Sequence, residues 1–428
     1  MASPKESKKA KTISVNNTYS PIAEDMPDEV VEKIISYFPL KECTRAALVS
    51  KRFTNSWKFC SNLCFEVDEQ RLPRDAYASL VDRVLDQHLG PKIERLVVAY
   101  DPTGQENRVI DWIRKVVAKG VEELILDFSN DGQAFPFSSH LIDVTPIRVL
   151  KLNYCELGFS EQLSGLRFLK TLVLKNIRLM NNLTDTIFSN CLLLENLEFV
   201  NCSNNTRLQI LAGHLKHFKS LKMEGFKDLI SVFINAPTLK SLCYNGDICR
   251  FNLNWLFPCL DVASFYFRGN RNYKQLDGVE GIIMSVTFCL QLTICSTILE
   301  GLSHKMKNFE YKEFQFCLWR LKELTLFLGG SSYDRGTTFV NPCDIVYFLK
   351  KCPLIENIYI DVDEQRLPRA AYASLVDHVL DQHLGPKVER LAVAYDPTGQ
   401  ENRVIDWIQK VVNKGVEELI LDFTDGDH

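Results

Sequence analysis

The feature that most constrains this chain is a spacing. The unit apolar-x-x-apolar-x-apolar occurs at Ile93/Leu96/Val98, Val121/Leu124/Leu126, Ile147/Leu150/Leu152, Leu169/Leu172/Leu174 and Leu194/Leu197/Phe199. It continues at Phe218/Leu221/Met223, Leu239/Leu242/Tyr244, Val262/Phe265/Phe267 and Cys289/Leu292/Ile294. Later units stand at Leu321/Leu324/Leu326, Ile355/Ile358/Ile360, Val388/Leu391/Val393 and Val416/Leu419/Leu421, while Met306/Phe309/Tyr311 fits the form but crowds its neighbours. Up to Leu292 the middle residues lie 21 to 28 residues apart. One such hexad says little, because apolar residues are common. Nine in succession at near-constant spacing demand a fold that repeats.

The period and the pattern are those of a leucine-rich array, in which each unit supplies one short strand. Stacked units form a parallel sheet, and each unit completes the core of its neighbour. Pattern residues then point inward, and the residues between them face outward on an open side. Lys151, Thr171, Val173, Lys175, Glu198, Lys222, Tyr266 and Thr325 are the candidate binding residues there. Their mixture of charge and aromatic surface suits a protein partner. Cys155 and Cys202 fall three residues past the last strand position, where the pattern takes Asn or Cys, so a structural role is expected for both.

A second repetition is of another kind. Val67–Phe128 returns as Val362–Phe423 with six differences in 62 positions: Asp75/Ala370, Arg83/His378, Ile93/Val388, Val97/Ala392, Arg114/Gln409 and Ala118/Asn413. Ordinary units in the array share only their pattern residues, so this block is a copy. It reads strand, helix, strand, helix, strand, which is about two stacking units, and a solenoid can be extended by whole units without a new core.

Bulk properties exclude several classes. At 428 residues the chain is too long for one compact core, and 46% apolar content fits a folded protein. Net charge is −4 with both signs interspersed, so the basic stripe of a nucleic-acid binder is missing. No apolar run reaches the length of a membrane span. The start, Met1-Ala2-Ser3-Pro4-Lys5, leads into a polar tail and not an apolar signal segment. The chain is therefore expected in the cytoplasm and/or nucleus. Fourteen cysteines in such a chain read as reduced thiols, and none shows paired zinc spacing, so no metal or cofactor is expected. Phosphate-loop, nucleophile-elbow and His-Glu-x-x-His motifs are absent. Asp101-Pro102-Thr103-Gly104 and its copy Asp396-Pro397-Thr398-Gly399 read as turns, with Asp starting, Pro setting the next residue and Gly closing. No catalytic residue is assigned.

Residues 1–22 read as a polar tail, and residues 23–65 change character. Pro27, Asp28 and Glu29 suit a helix start, Val30, Val31, Ile34, Ile35 and Phe38 make one wide apolar face, and Pro39 stops it. A second helix follows from Lys41, with Ala46, Val49, Phe53 and Trp57 on one side. Met26-Pro27-Asp28-Glu29-Val30, then Ile34-Ile35-Ser36-Tyr37-Phe38-Pro39-Leu40-Lys41-Glu42, then Ala47-Leu48-Val49-Ser50-Lys51-Arg52-Phe53 resemble the F-box in its plant form. Met26 and Phe53 depart from the usual Leu and Trp but keep apolar bulk. Phe348–Asn357 is similar to the Leu-x-x-Cys-Pro-x-Leu-Glu-x-Leu unit late in plant F-box/leucine-rich-repeat proteins. Where those proteins carry a C-terminal extension of their own type, the copied block stands here.

The resemblance implies an α/β chain: a short helical F-box, a leucine-rich-repeat solenoid with a curved parallel sheet over 66–360, and its extension by the copy over 361–428. It implies docking of a Skp-type adaptor through Met26, Pro27, Val30, Ile34, Leu40, Val49 and Phe53. Through that adaptor the chain would join a cullin–RING (SCF-type) ubiquitin ligase as its non-catalytic substrate-recognition subunit, with an unidentified protein substrate on the repeats. Two other readings stay open at this point: a leucine-rich scaffold whose F-box has drifted and no longer docks, and a duplication product without function.

Overall fold

The computed structural model describes residues 27–49, 53–65, 73–128, 133–143, 146–158, 164–180, 182–203, 206–253, 257–268, 279–299, 301–302, 316–328, 342–362, 369–382, 389–394 and 401–422. The tail expected over 1–22, Met26 and the Met306/Phe309/Tyr311 unit lie outside these residues. The chain opens with α1 (Asp28–Ser36), α2 (Leu40–Val49), β1 (Asn62–Phe65), α3 (Arg74–Gln87), β2 (Arg95–Ala99), α4 (Glu106–Ala118) and β3 (Glu123–Asp127). Next come β4 (Phe135–Ser138), β5 (Val149–Asn153), β6 (Cys155–Gly158), β7 (Thr171–Lys175), α5 (Leu183–Asn190), β8 (Asn196–Val200), β9 (Arg207–Leu211) and β10 (Ser220–Phe226). Then follow β11 (Ser231–Asn235), β12 (Ser241–Asp247), β13 (Arg250–Leu253), β14 (Val262–Arg268), α6 (Val279–Ser285), β15 (Gln291–Cys295) and β16 (Glu323–Leu328). The last elements are α7 (Pro342–Leu349), β17 (Asn357–Val362), α8 (Arg369–Gln382), β18 (Arg390–Ala394), α9 (Glu401–Asn413) and β19 (Glu418–Asp422).

Fourteen strands form one open sheet in the order β1-β2-β3-β5-β7-β8-β10-β12-β14-β15-β16-β17-β18-β19. Every neighbour pair is parallel, and one row of the register runs Leu63, Leu96, Leu124, Leu150, Leu172, Leu197, Leu221, Leu242, Ala263, Leu292, Leu324, Ile358, Leu391, Leu419. The repeated apolar position of the sequence is this row. From Leu63 to Leu326 its members and the next inward residue of each strand are fully buried.

The register revises the sequence reading twice. The array starts at β1, with Cys60, Leu63 and Phe65 buried in the pattern positions, so its first strand lies inside the segment assigned to the F-box. These three residues close the segment read as the F-box, and the repeat pattern alone does not separate them from it. At β14 the unit is Leu260/Ala263/Phe265, two residues away from Val262/Phe265/Phe267. Leu260, Ala263 and Phe265 are fully buried and Val262 is exposed. A two-residue slip keeps every strand residue on its own face, so Phe265 and Phe267 point inward in either register, and Ala263 is too small to advertise a core position.

The back of the sheet changes with repeat length. A helix advances about 1.5 Å per residue and a strand about 3.3 Å, so a short connector crosses the back only when extended. From Leu197 to Ala263, with row residues 24, 21 and 21 positions apart, the connectors carry β9, β11 and β13, which form a small parallel sheet of their own, and β4 and β6 pair in parallel in the connectors before β5 and β7. Longer connectors at both ends carry α3, α4 and α6 to α9. Four residues after the row leucine, four successive repeats turn through a left-handed residue: Tyr154 (φ 57°), Asn176 (φ 50°), Asn201 (φ 51°) and Gly225 (φ 70°). Two of these positions are Asn, which tolerates that region better than most residues. Cys155 and Cys202 follow the turn and are buried, and the Cys202 thiol donates to the Leu174 carbonyl of the preceding repeat (3.3 Å). The stack of turns ends at Gly225, which bulges out of the β10–β12 register between Glu224 and Phe226.

The described parts of the copied block fold as their counterparts in the original do. Buried Trp112 donates through Nε1 to Asp82 Oδ1 (2.6 Å), and Trp407 repeats this with Asp377 (2.6 Å). Arg108 bonds Asp82 through Nε (2.9 Å) and Arg403 bonds Asp377 (3.0 Å). Lys115 bridges Asp86 and Asp111, and Lys410 bridges Asp381 and Asp406. Among the described residues, no helix is long and apolar enough to cross a membrane.

A Cβ added to Gly225 would stand 1.9 Å from Asn201 Oδ1 in the neighbouring turn, whereas one added to Gly415 (φ 71°) meets nothing within 4 Å. Gly225→Ala therefore combines a backbone penalty with a clash and is expected to cost about 2–4 kcal/mol, against about 1–2 kcal/mol for Gly415→Ala. Urea titrations of the two variants check this; equal midpoints would remove the stacked turn from the stability of the array.

Candidate functional site

Two surfaces emerge. The first is the outside of the N-terminal helices. Pro27 opens α1, its carbonyl accepting from Val30 N (3.0 Å) and Val31 N (3.1 Å). Val31 and Cys43 are buried, which fixes the inner faces of α1 and α2. Val30 and Ile34, one turn apart, are then left exposed, together with Pro27, Tyr37, Phe38 and Leu48, the last at 88% exposure. So many large apolar side chains exposed within twenty residues mark an interaction surface.

The other side of these helices is fastened to the array. The Ser36 carbonyl accepts from Ser61 Oγ (2.6 Å) and Ser61 N (3.1 Å), and the Phe38 carbonyl accepts from Cys60 Sγ (2.8 Å). Pro39 bridges Asn62 at the start of β1. Behind them lies His88, a buried ring at the end of α3. Its Nε2 lies 2.9 Å from the Cys60 carbonyl and its Nδ1 3.0 Å from Lys119 Nζ. Lys119 also donates to the carbonyls of His88 (2.9 Å) and Gly90 (3.0 Å). An ammonium can only donate, so Nδ1 is the acceptor and Nε2 carries the proton given to Cys60. Burial, with the charge of Lys119, holds the His88 pKa below its ordinary value, against the opposing pull of the Cys60 bond. The ring is neutral. A Cβ on Gly90 would stand 2.8 Å from His88 Cε1, so glycine is needed beside it.

The second surface is the open face of the sheet. Its middle row runs Lys151, Val173, Glu198, Lys222, Cys243, Ser264, Thr293, Thr325, Tyr359. Lys151 and Lys175 are exposed, and Thr171, Glu198, Lys222, Tyr266 and Thr325 are half-buried. Val173, expected as a binding residue, is only 5% exposed: its register neighbours Lys151 and Glu198 are long side chains flanking a short one. Lys222 is held by Glu224 (2.9 Å) and Glu198 (3.2 Å), bonds that raise its pKa against the cost of burial. Farther along, the charges give way to Tyr266 and Phe327, whose rings meet edge to face at 5.7 Å. Phe327, Tyr359 and Cys243 were not singled out in sequence, because only the register shows which residues between the leucines share one strip. On the rim Glu195 is clamped by Lys219 (2.8 Å) and Lys170 (2.9 Å), which push its pKa down to about 2. Among the described residues no group of three His, Cys, Asp or Glu side chains could hold a metal ion.

Comparison with known proteins settles the family. The leucine-rich-repeat domain of the At1g61320/AtMIF1 type matches residues 84–378, and the F-box domain matches residues 24–65. An FBD-associated F-box protein of Arabidopsis thaliana, At1g61330, is 31% identical over 352 residues, covering 81% of this chain and 77% of that protein. The chain belongs to the plant F-box/leucine-rich-repeat family. A second FBD-associated F-box protein of Arabidopsis thaliana, At1g61320, is 28% identical over 374 residues, or 85% of this chain and 78% of the relative. The F-box/FBD/LRR-repeat protein At2g26030 of the same plant is 22% identical over 368 residues, 79% of this chain and 78% of that one.

Within this F-box protein the expected docking residues divide. Pro27, Val30 and Ile34 lie outside, while Leu40 and Phe53 are half-buried and pack on the protein's own core. Met26 and the side chain of Val49 lie outside the described residues. Exposed Tyr37, Phe38 and Leu48 were not among the expected docking residues; Tyr37 and Phe38 stand in the turn after α1, where a helical period assigns no face.

The His88 junction sets a pH dependence. A histidine whose folded pKa is depressed stabilises the fold fully above its unfolded value, near 6.5, and that stability is lost as pH falls below it toward the folded value. Protonation would also place a cation against Lys119. Thermal melts at pH 7.5 and about 5.5 are expected to show a larger loss in the wild type than in His88→Gln. Equal losses would mean that His88 does not carry the junction.

Proposed function

We propose that this protein is the substrate-recognition subunit of an SCF-type cullin–RING ubiquitin ligase, acting in the cytoplasm or nucleus. The F-box helices dock a Skp-type adaptor, and the open face of the repeats holds a protein substrate. The observation that carries the reading is the exposure of Pro27, Val30, Ile34, Tyr37, Phe38 and Leu48 on and beside helices whose inner faces are already spent on the array. A scaffold with a non-docking F-box is the competing reading, and the inward packing of Leu40 and Phe53 is the observation on its side. Val30→Asp with Ile34→Asp separates them, because both side chains are exposed and the fold should survive. Burying two carboxylates in an apolar interface costs several kcal/mol, so co-purification with the adaptor is expected to fall by more than about 100-fold with an unchanged melting curve. Retained co-purification, or none in the wild type, favours the scaffold.

The role is that of an adaptor and not of a thiol ligase. Burial pushes the Cys202 thiol up to about 11 and those of Cys191, Cys249 and Cys289 up to about 12, leaving them protonated at neutral pH, and the thiolate is the reactive form. Incubation with charged ubiquitin-conjugating enzyme is expected to leave no reducible ubiquitin adduct on this chain. Mass spectrometry that found one on Cys202 would overturn the assignment.

A further inference from the structure

The copied block presents a face that its original keeps covered. In the original, Ile113 and Val117 of α4 are 0% and 8% exposed, and the turn Ser139–Leu141 packs on that helix. Strand β5 adds parallel to β3, with Leu150 beside Leu124 and Leu152 beside Leu126. Polar contacts select that unit as well. Arg148 pairs with Glu122 (3.0 Å), and Asn153 Nδ2 donates to Asp127 Oδ1 (2.8 Å). In the copy the equivalent helix residues Ile408 and Val412 are 40% and 68% exposed, and Ile405 beside them is exposed too. Strand β19 repeats the Glu-Leu-Ile-Leu-Asp of β3 letter for letter, yet among the described residues it pairs only with β18. Leu419 and Leu421 are half-buried where Leu124 and Leu126 are fully buried.

We propose that this end face, made of α9 and the outer edge of β19, is a docking site for a leucine-rich strand segment of another protein. The segment has the pattern basic–apolar–Leu–x–Leu–Asn and adds parallel to β19. The chain itself displays what such a face accepts: in the first copy the near-identical surface holds Arg148-Val149-Leu150-Lys151-Leu152-Asn153. A second copy of this chain fits less well. Two β19 edges meeting about a twofold axis at Ile420 would set Glu418 opposite Asp422, and like charges directly opposite destabilise a strand pair. The far end of the sheet does not offer a clear edge either, since Pro39 bridges Asn62 and α2 packs on β1. Main-chain pairing along β19 would supply affinity, and the acidic positions Glu417 and Asp422, equivalents of Glu122 and Asp127, would select the basic and Asn flanks. The site lies at the opposite end of the sheet from the F-box, so it stands or falls apart from adaptor docking.

The test uses the full chain and a fluorescent peptide of residues 146–158 carrying Cys155→Ser. Saturable 1:1 binding is expected by anisotropy, with slower amide exchange in Glu418–Asp422. Ile408→Asp with Val412→Asp, both on exposed positions, should weaken binding at least tenfold. A peptide carrying Arg148→Glu and Asn153→Leu should weaken it likewise on the unaltered protein, which keeps the test independent of the variant's folding. Absence of saturation up to about 1 mM, a limit near −4 kcal/mol, overturns the proposal. So does binding indifferent to both sets of substitutions, or protection that appears away from β19.

Discussion

Everything in this molecule rests on one row of aliphatic side chains, shared strand to strand from Leu63 to Leu419. No repeat has a core of its own. Each presents an apolar edge that only the next repeat can cover, so burial is a property of the neighbour as much as of the residue. Parallel pairing sustains this, because each strand leaves the sheet in the same direction and must return across the back before pairing again. That return carries a helix in some repeats and a strand in others, the strands β9, β11 and β13 forming a second sheet behind the middle of the array.

The same dependence explains the F-box. Some thirty residues of short helix bury too little to hold themselves, and here they borrow the first strand of the array. Cys60, Leu63 and Phe65 belong to both parts: they complete the first repeat, while Cys60 also receives His88 and caps the Phe38 carbonyl. The exposed face of α1 is therefore set at a defined angle to the repeats, joined by hydrogen bonds through Ser36, Phe38 and His88. An adaptor bound on α1 would inherit that orientation, and whatever lies on the open face would be held at a fixed position relative to it.

Much of this was legible in the sequence because leucine at a fixed spacing is a loud signal. The row residues from Leu96 to Leu242, the copied block and the F-box helices could all be read from letters. What escaped reading shares a cause. Ala263 was hidden because a two-residue slip preserves the faces of a strand and only pairing reveals the register. Val173 was placed outside correctly by its face, yet its neighbours Lys151 and Glu198 leave it little exposure. Leu40 and Phe53, expected at the adaptor contact, are half-buried against the protein's own core, while Tyr37 and Leu48 are exposed. Each is a fact about what stands beside a residue in space, and a one-dimensional pattern records only what stands beside it in the chain.

The duplicated block isolates that distinction within one molecule. Trp112 and Trp407, Asp82 and Asp377, Arg108 and Arg403 make the same bonds in both copies, because their partners travel inside the copied segment. Ile113 and Ile408 do not share a fate, because what covers Ile113 lies beyond the segment's end. Copying a stretch of solenoid thus reproduces every contact that is internal to the stretch and forfeits every contact made at its boundary. The forfeited contacts are apolar and belong to a strand that, among the described residues, is paired on one side only, the two attributes that natural edges avoid or conceal. A duplication of this kind is structurally inexpensive inside the block, and what distinguishes the two copies is the neighbour met at each boundary.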